Sequence, residues 1–151
     1  MVEQQLEIPF SLVDSARFEH YICGENTWIV EALQRWAAGQ ADERFCVCWG
    51  AWGSGRTHLL NAVCHAVLLK TCRVFYLNCS NASKYVPDIL EDLQTHDVVC
   101  LDDVDQVFGQ PAWENALFHL YNEMIVLGHG RLLLSVSMAP DRIAVKLPDL
   151  R

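Results

Sequence analysis

A glycine-rich stretch decides the fold class of this chain. Residues 45–57 read FCVCWGAWGSGRT. The first five residues are apolar, which is typical of a buried strand, and the glycines after them fit the P-loop pattern at every position but one. Glycines let the backbone curl so that successive N–H groups point at a phosphate, and a helix that starts at the end of the loop directs its positive end there. The stretch therefore predicts an α/β domain that binds a nucleotide.

One position of this loop departs from the usual pattern. Arg56 stands where a P-loop normally has lysine, and Thr57 follows with a hydroxyl of the kind that reaches a magnesium ion. Arginine keeps the positive charge and can bind two phosphate oxygens, but it is bulkier than lysine and is not a compact point charge. We therefore expect nucleotide binding to persist and efficient hydrolysis to be impaired. The plainer alternative is a glycine-rich turn that binds no ligand.

A second motif has carboxylates at the end of another predicted strand. Residues 98–103 read VVCLDD, so an apolar run ends in Asp102 and Asp103. Ligands of open α/β sheets bind at the carboxyl ends of the strands. We expect Asp102 to hold magnesium through water and Asp103 to stand where a base polarises the attacking water. The alternative is an acidic strand end without a ligand. For Ser135 and Ser137, at the end of the strand over residues 131–136, two alternatives stay open: a sensor of the γ-phosphate, or a polar strand end without that role.

The rest of the chain alternates predicted helices with predicted strands. Helices are expected over residues 26–38, 57–69, 86–93 and 111–127, and strands over residues 45–49, 73–78, 98–101 and 131–136. Such an alternation predicts a parallel sheet that is covered by helices on both faces.

The composition excludes several classes of protein. The chain has 151 residues, of which 52% are hydrophobic and 20% are charged, as expected of a globular domain. No apolar run is long enough to span a membrane, and the polar start of the chain does not resemble a signal peptide. The net charge of −8 argues against direct DNA binding. The seven cysteines lack the spacing of a zinc site, so we interpret them as reduced thiols of a cytoplasmic protein.

Taken together, these motifs resemble the AAA+ base subdomain, and finer features are similar to the DnaA/Hda family. The similar stretches are residues 18–26 (FEHYICGEN), 53–60 (GSGRTHLL), 113–122 (WENALFHLYN) and 147–150 (LPDL). The short, Hda-type members of the family also carry arginine at the lysine position of the P-loop. The resemblance runs from residue 4 to residue 151. It implies an α/β base subdomain over residues 13–151 without the C-terminal helical lid, and Arg151 falls before the family's arginine finger.

The resemblance also implies a nucleotide site for ADP or ATP with magnesium. The implied nucleotide-binding residues are Tyr21, Ile22, Gly50, Trp52, Gly53, Ser54, Gly55, Arg56, Thr57, His58 and Asp102. Thr57 and Asp102 are the expected magnesium ligands, and Asp103 is the candidate catalytic residue.

Residues 1–12 are expected to form a flexible peptide that binds the DNA polymerase sliding clamp. Residues 5–10 read QLEIPF, which resembles the clamp-binding motif. Leu6, Ile8 and Phe10 would enter apolar pockets. Gln5 would supply a polar anchor, and Pro9 would restrict the chain before it binds. The alternative is an N-terminal strand or a hydrophobic contact at the start of a helix.

For function, the resemblance implies a regulator of replication initiation. Such a protein links the sliding clamp to DnaA and promotes hydrolysis of the ATP that DnaA holds, which prevents re-initiation. The resemblance leaves open whether the protein forms a homo-oligomer. Two alternatives remain: a working AAA+ ATPase of the helicase-loader type, and a vestigial fold that binds no nucleotide.

Overall fold

The structure is a computed structural model. It describes residues 12–13, 15–21, 24, 27–51, 53–70 and 72–139. Residues 1–11 of the expected clamp-binding peptide, which include QLEIPF, therefore lie outside the described residues, as do Ile22 and Trp52 of the expected nucleotide site.

Strands and helices alternate through the described residues as the sequence predicts. The elements are α1 (Thr27–Ala37), β1 (Phe45–Trp49), α2 (Arg56–Leu68), β2 (Val74–Asn78), β3 (Val98–Asp102), α3 (Pro111–Leu127) and β4 (Arg131–Val136). Short 3₁₀ helices cover Phe18–His20, Cys79–Lys84, Pro87–Leu90, Leu93–Thr95 and Val104–Val107. The four predicted strands and three of the four predicted helices are confirmed within one or two residues at each end.

The helix predicted over residues 86–93 is wrong. This segment contains the 3₁₀ helix Pro87–Leu90 and the start of a second one, Leu93–Thr95. Between them Glu91 is extended, and Asp92 is left-handed with φ 66°. A short helix has few hydrogen bonds to offset its nucleation cost, so packing decides the local backbone. Here the two 3₁₀ helices and the non-helical residues between them allow both Leu90 and Leu93 to be buried.

All pairs of neighbouring strands in the sheet are parallel, in the order β1-β4-β3-β2. Strand β4 lies between the P-loop strand and the acidic strand, since Leu134 pairs with Val47 of β1 and with Leu101 of β3. The parallel arrangement brings the carboxyl ends of all four strands to one edge. The P-loop, Asp102 and the end of β4 therefore meet at the same edge of the sheet.

Helices cover both faces of this sheet. On one face, α1 and α2 bury Trp36, Leu60 and Val63 against Cys100 of β3. On the other face, α3 and the 3₁₀ segments form a second apolar cluster that includes Leu101. Strand β3 is buried at every position, which explains why its first four residues are all apolar rather than alternating with polar ones. Within the described ranges, no helix combines the length and the apolar character needed to cross a bilayer.

Candidate nucleotide-binding site

The P-loop has the backbone shape that its glycines predict. Gly53 and Gly55 have φ values of 83° and 90°, in the left-handed region that favours glycine. Gly55 is the N-cap residue of α2 and has no side chain with which to cap this end of the helix. The first N–H groups of a helix lack partners within the helix, so they remain available to a phosphate at the loop.

Tyr21 lies directly on the P-loop. Its hydroxyl donates a hydrogen bond to the Ser54 carbonyl over 3.0 Å. A Cβ atom at Gly55 would come within 2.5 Å of the Tyr21 ring, so only glycine fits beneath it. The His58 ring lies 5.5 Å from the Tyr21 ring, measured between centroids. Four of the expected nucleotide-binding residues are thus brought together.

The segment before Tyr21 is tied to one face of α2, a feature that the sequence reasoning missed. Asn61 accepts a hydrogen bond from the Val13 N–H over 2.9 Å, and His65 donates to the Val13 carbonyl over 2.9 Å. His58 donates to the Arg17 carbonyl over 2.7 Å. Residues that are three or four positions apart lie on the same face of a helix. The spacing of His58, Asn61 and His65 in an otherwise apolar helix was therefore the sequence signal that could have revealed this polar face.

Arg56 and Asp103 form a buried ion pair. The Nη1 atom of Arg56 lies 2.7 Å from Oδ1 of Asp103, and the two residues are 7% and 3% exposed. Burial raises the pKa of the Asp103 carboxyl, the neighbouring Asp102 raises it further, and Arg56 opposes both effects. The side chain in the lysine position of the P-loop and the candidate base are therefore each other's counter-ions.

Asp102 is held by hydroxyl groups. The Tyr76 hydroxyl donates to its Oδ2 atom over 2.7 Å, and the Ser135 hydroxyl donates to its Oδ1 atom. Ser135 also accepts a hydrogen bond from the Asp103 N–H over 2.8 Å. Burial, and then the charge of Asp102, raises the pKa of Tyr76, which keeps this phenol protonated as a donor. The network ties the end of β4 to the acidic end of β3.

The comparison with known proteins identifies the family. Residues 12–149 match the bacterial DnaA ATPase domain. This chain belongs to the bacterial DnaA ATPase-domain family. An uncharacterized protein of Haemophilus influenzae is 33% identical over 149 residues, which are 99% of this chain and 64% of that protein. The DnaA-family chain thus spans less than two thirds of this relative's length.

Solved structures of DnaA share the fold. AMPPCP-bound DnaA from Aquifex aeolicus superposes with a TM-score of 0.79 at 20% identity, covering 92% of this chain and 47% of that one. Domain III of Thermotoga maritima DnaA gives a TM-score of 0.78 at 21% identity, covering 93% of this chain and 63% of that one. The predicted AAA+ base subdomain, a parallel sheet flanked by helices, is therefore confirmed.

The DnaA-family site fits phosphates better than it fits a magnesium ion at Asp102. Thr57 is exposed in the first turn of α2, as a magnesium ligand should be. Asp102 is 0% exposed and both of its oxygens accept hydrogen bonds, so a metal could reach it only if these side chains rearrange. Among the described residues, no group of three or more His, Cys, Asp or Glu could hold a metal ion. Magnesium binding by Thr57 and Asp102 stays a prediction.

The serines expected to sense the γ-phosphate also have carboxylate partners. Ser135 is fully buried and donates to Asp102, as described above. The Ser137 hydroxyl donates to Oδ2 of Asp105 over 2.5 Å. A sensing role for either serine would require it to leave its carboxylate, so this role also stays a prediction.

A recess lies beside the P-loop, between α1 and β1. Its volume is about 470 Å³, and Arg56, Ser54 and Tyr21 form its polar side. Trp28 and Trp49, which are 66% and 59% exposed, form part of its apolar wall. Large apolar side chains next to a few polar groups are typical of small-molecule sites. The recess therefore extends the candidate site away from the phosphate loop.

Proposed function

We propose that this DnaA-family protein is a nucleotide-dependent regulator of replication initiation, of the Hda type, with little ATPase activity of its own. The observation that carries the proposal is the ion pair between Arg56 and Asp103. A hydrolytic site needs its P-loop cation on the phosphates and its base free to orient water. In this site the two groups pair with each other, so a nucleotide has to separate them before either can act, and hydroxyl groups hold Asp102. The glycine loop can still bind phosphate, which suits a protein that uses nucleotide as a signal.

The proposed partners are the DNA polymerase sliding clamp and DnaA. The QLEIPF sequence at residues 5–10 supports the clamp, because an extended peptide can bury three apolar side chains in pockets. Family membership supports DnaA. In this proposal the clamp-bound protein, carrying ADP or ATP with magnesium, promotes hydrolysis of ATP on DnaA in the cytoplasm. The net charge of −8 fits a protein that acts through other proteins rather than directly on DNA.

The clamp proposal predicts that Leu6→Ala together with Phe10→Ala abolishes clamp binding. These two substitutions remove most of the apolar surface that the peptide would bury. Comigration with the purified clamp on a sizing column, followed by calorimetry, measures the effect. Glu7→Ala, at the variable position of the same peptide, is the matched control and should bind like the wild type. Unchanged affinity in the double variant would contradict the clamp assignment.

The alternative is a working AAA+ ATPase of the helicase-loader type. The sequence positions of Thr57, Asp102 and Asp103 match the pattern of such an enzyme, and this favours it. It predicts ATP turnover by the protein alone and faster turnover in Arg56→Lys, because lysine supplies the compact charge that a hydrolytic P-loop uses. Absence of turnover in both proteins, combined with measurable ADP binding, favours the regulator.

A further inference from the structure

Arg56 pairs with a carboxylate at the loop where a phosphate is expected to bind. It begins α2, directly after the glycines that would hold a phosphate, and its guanidinium already contacts Asp103. Both side chains are almost completely removed from water. In such surroundings the attraction between opposite charges is much stronger than at an exposed surface. A nucleotide phosphate that approaches the loop must therefore compete with a carboxylate for the same cation.

Among the described residues, the hydrogen-bond donors to the neighbouring Asp102 are neutral, so they do not offset the negative charge of the carboxylates. Asp102 is adjacent to Asp103, and its hydrogen-bond donors are the neutral hydroxyls of Tyr76 and Ser135. Asp105 is close enough to raise the pKa of Asp103. A polyphosphate that entered without a divalent cation would add further negative charge to this acidic end of the sheet.

We infer that Asp103 sets the affinity and the metal dependence of nucleotide binding by competing with phosphate for Arg56. The inference rests on the proposed nucleotide binding. It makes Asp103 a positioning residue rather than a base that contacts water. Phosphate binding moves Arg56 away from Asp103, and a divalent cation that arrives with the nucleotide offsets the carboxylate left behind.

The test compares ADP affinity with and without Mg²⁺. Asp103→Asn keeps the size of the side chain and removes its charge. Calorimetry with ADP in EDTA should show about tenfold tighter binding in this variant, equivalent to about 1.4 kcal/mol. The ratio of the Kd in EDTA to the Kd in Mg²⁺ should fall by a similar factor. Asp97→Asn is the matched control, because it removes a carboxylate that precedes β3, at the edge of the sheet opposite the P-loop, and keeps an oxygen that can accept from the Arg73 N–H. Its ADP affinity should stay within about twofold of the wild type.

A second measurement follows Arg56 in the wild type itself. In ¹⁵N-arginine spectra of the wild type, the Nε–Hε signal of Arg56, assigned by its loss in Arg56→Lys, should shift on saturation with ADP. An unshifted signal, or Asp103→Asn that binds ADP no more tightly than the wild type, overturns the inference and leaves nucleotide binding intact. If neither the wild type nor Asp103→Asn binds ADP, both the inference and the proposed nucleotide dependence are overturned. Binding by Asp103→Asn alone supports the inference.

Discussion

The hydroxyls of Tyr76 and Ser135 donate hydrogen bonds to the buried carboxylate of Asp102. The contribution of the Tyr76 hydrogen bond to the free energy of unfolding can be measured. Tyr76→Phe keeps the ring and removes the donor to Oδ2 of Asp102. A buried charged acceptor that loses a partner costs about 1–3 kcal/mol. We therefore expect Tyr76→Phe to be destabilised by this amount at pH 7, as measured by urea unfolding. Tyr121→Phe, at an exposed tyrosine of α3, is the control and should change little.

The phenol of Tyr76 also makes the stability of the protein depend on pH in the alkaline range. Burial and the charge of Asp102 raise the pKa of Tyr76 above its ordinary value of about 10, so the folded protein retains a proton that the unfolded chain loses. The contribution is therefore complete below pH about 10 and declines as the pH rises above it. Urea midpoints between pH 9 and 11 should fall less steeply in Tyr76→Phe than in the wild type. Parallel slopes in the two proteins would contradict this account.

The sequence motifs predicted which residues the structure brings together at the candidate site, but they did not predict the contacts of these residues. The motifs identified Arg56, Asp102 and Asp103 because each follows a strand or a glycine loop in the expected pattern. The contacts depend on strand order, since β4 lies between β1 and β3 and brings Ser135 to Asp102. Hydrophobic periodicity gives the type of an element and says nothing about its neighbours in the sheet.

At the scale of elements, the ring of Tyr21 packs against the P-loop at Gly55, where it leaves no space for a side chain. Gly55→Ala adds a methyl group 2.5 Å from the Tyr21 ring, at a residue whose φ is 90°. Gly39→Ala is a matched control, because Gly39 also has a positive φ, of 77°, and the part of the chain that the structure describes has no atom within 4 Å of the added methyl apart from the residues next to Gly39. Left-handed strain alone costs about 1–2 kcal/mol. We expect Gly55→Ala to lose more stability than Gly39→Ala, as measured by urea unfolding.

The second half of this test isolates the ring. In Gly55→Ala combined with Tyr21→Ala the contact is gone, so the double variant should be more stable than the sum of the two single effects predicts. If the changes in unfolding free energy of the two single variants add up to that of the double variant, the Tyr21 ring does not clash with the methyl group at residue 55.

Element prediction succeeded where a segment was long or had a sharp chemical signal. The α3 helix has Pro111 at its start and Gly128 in a left-handed conformation at its end, and both signals are visible in the sequence. Residues 86–93 also begin near a proline, yet they break into 3₁₀ turns. The two segments differ in length. In a short segment the burial of leucines in the core outweighs the intrinsic helical preference, because few helical hydrogen bonds can form.

At the scale of the whole molecule, the alternating pattern was sufficient to predict a parallel sheet with two helical layers. It could not show that the P-loop strand would be at one edge of the described sheet, because the edge position depends on which strands pair. The peptide expected to bind the clamp, residues 5–10, lies outside the described residues. Two of the expected nucleotide-binding residues, Ile22 and Trp52, also lie outside them. Their assignments still rest on the sequence.

Nucleotide binding should also stabilise the whole domain, because the P-loop joins β1 to α2 and also contacts Tyr21. A ligand at 100 times its Kd stabilises a folded protein by about 2.7 kcal/mol. For a domain of this size, that corresponds to a rise in Tm of about 5–11 °C. We expect ADP with Mg²⁺ to produce this rise in the wild type. Arg56→Gln should lose most of it, while Arg35→Gln, at an exposed arginine of α1, should keep it. An equal rise in all three proteins would mean that ADP binds away from the P-loop.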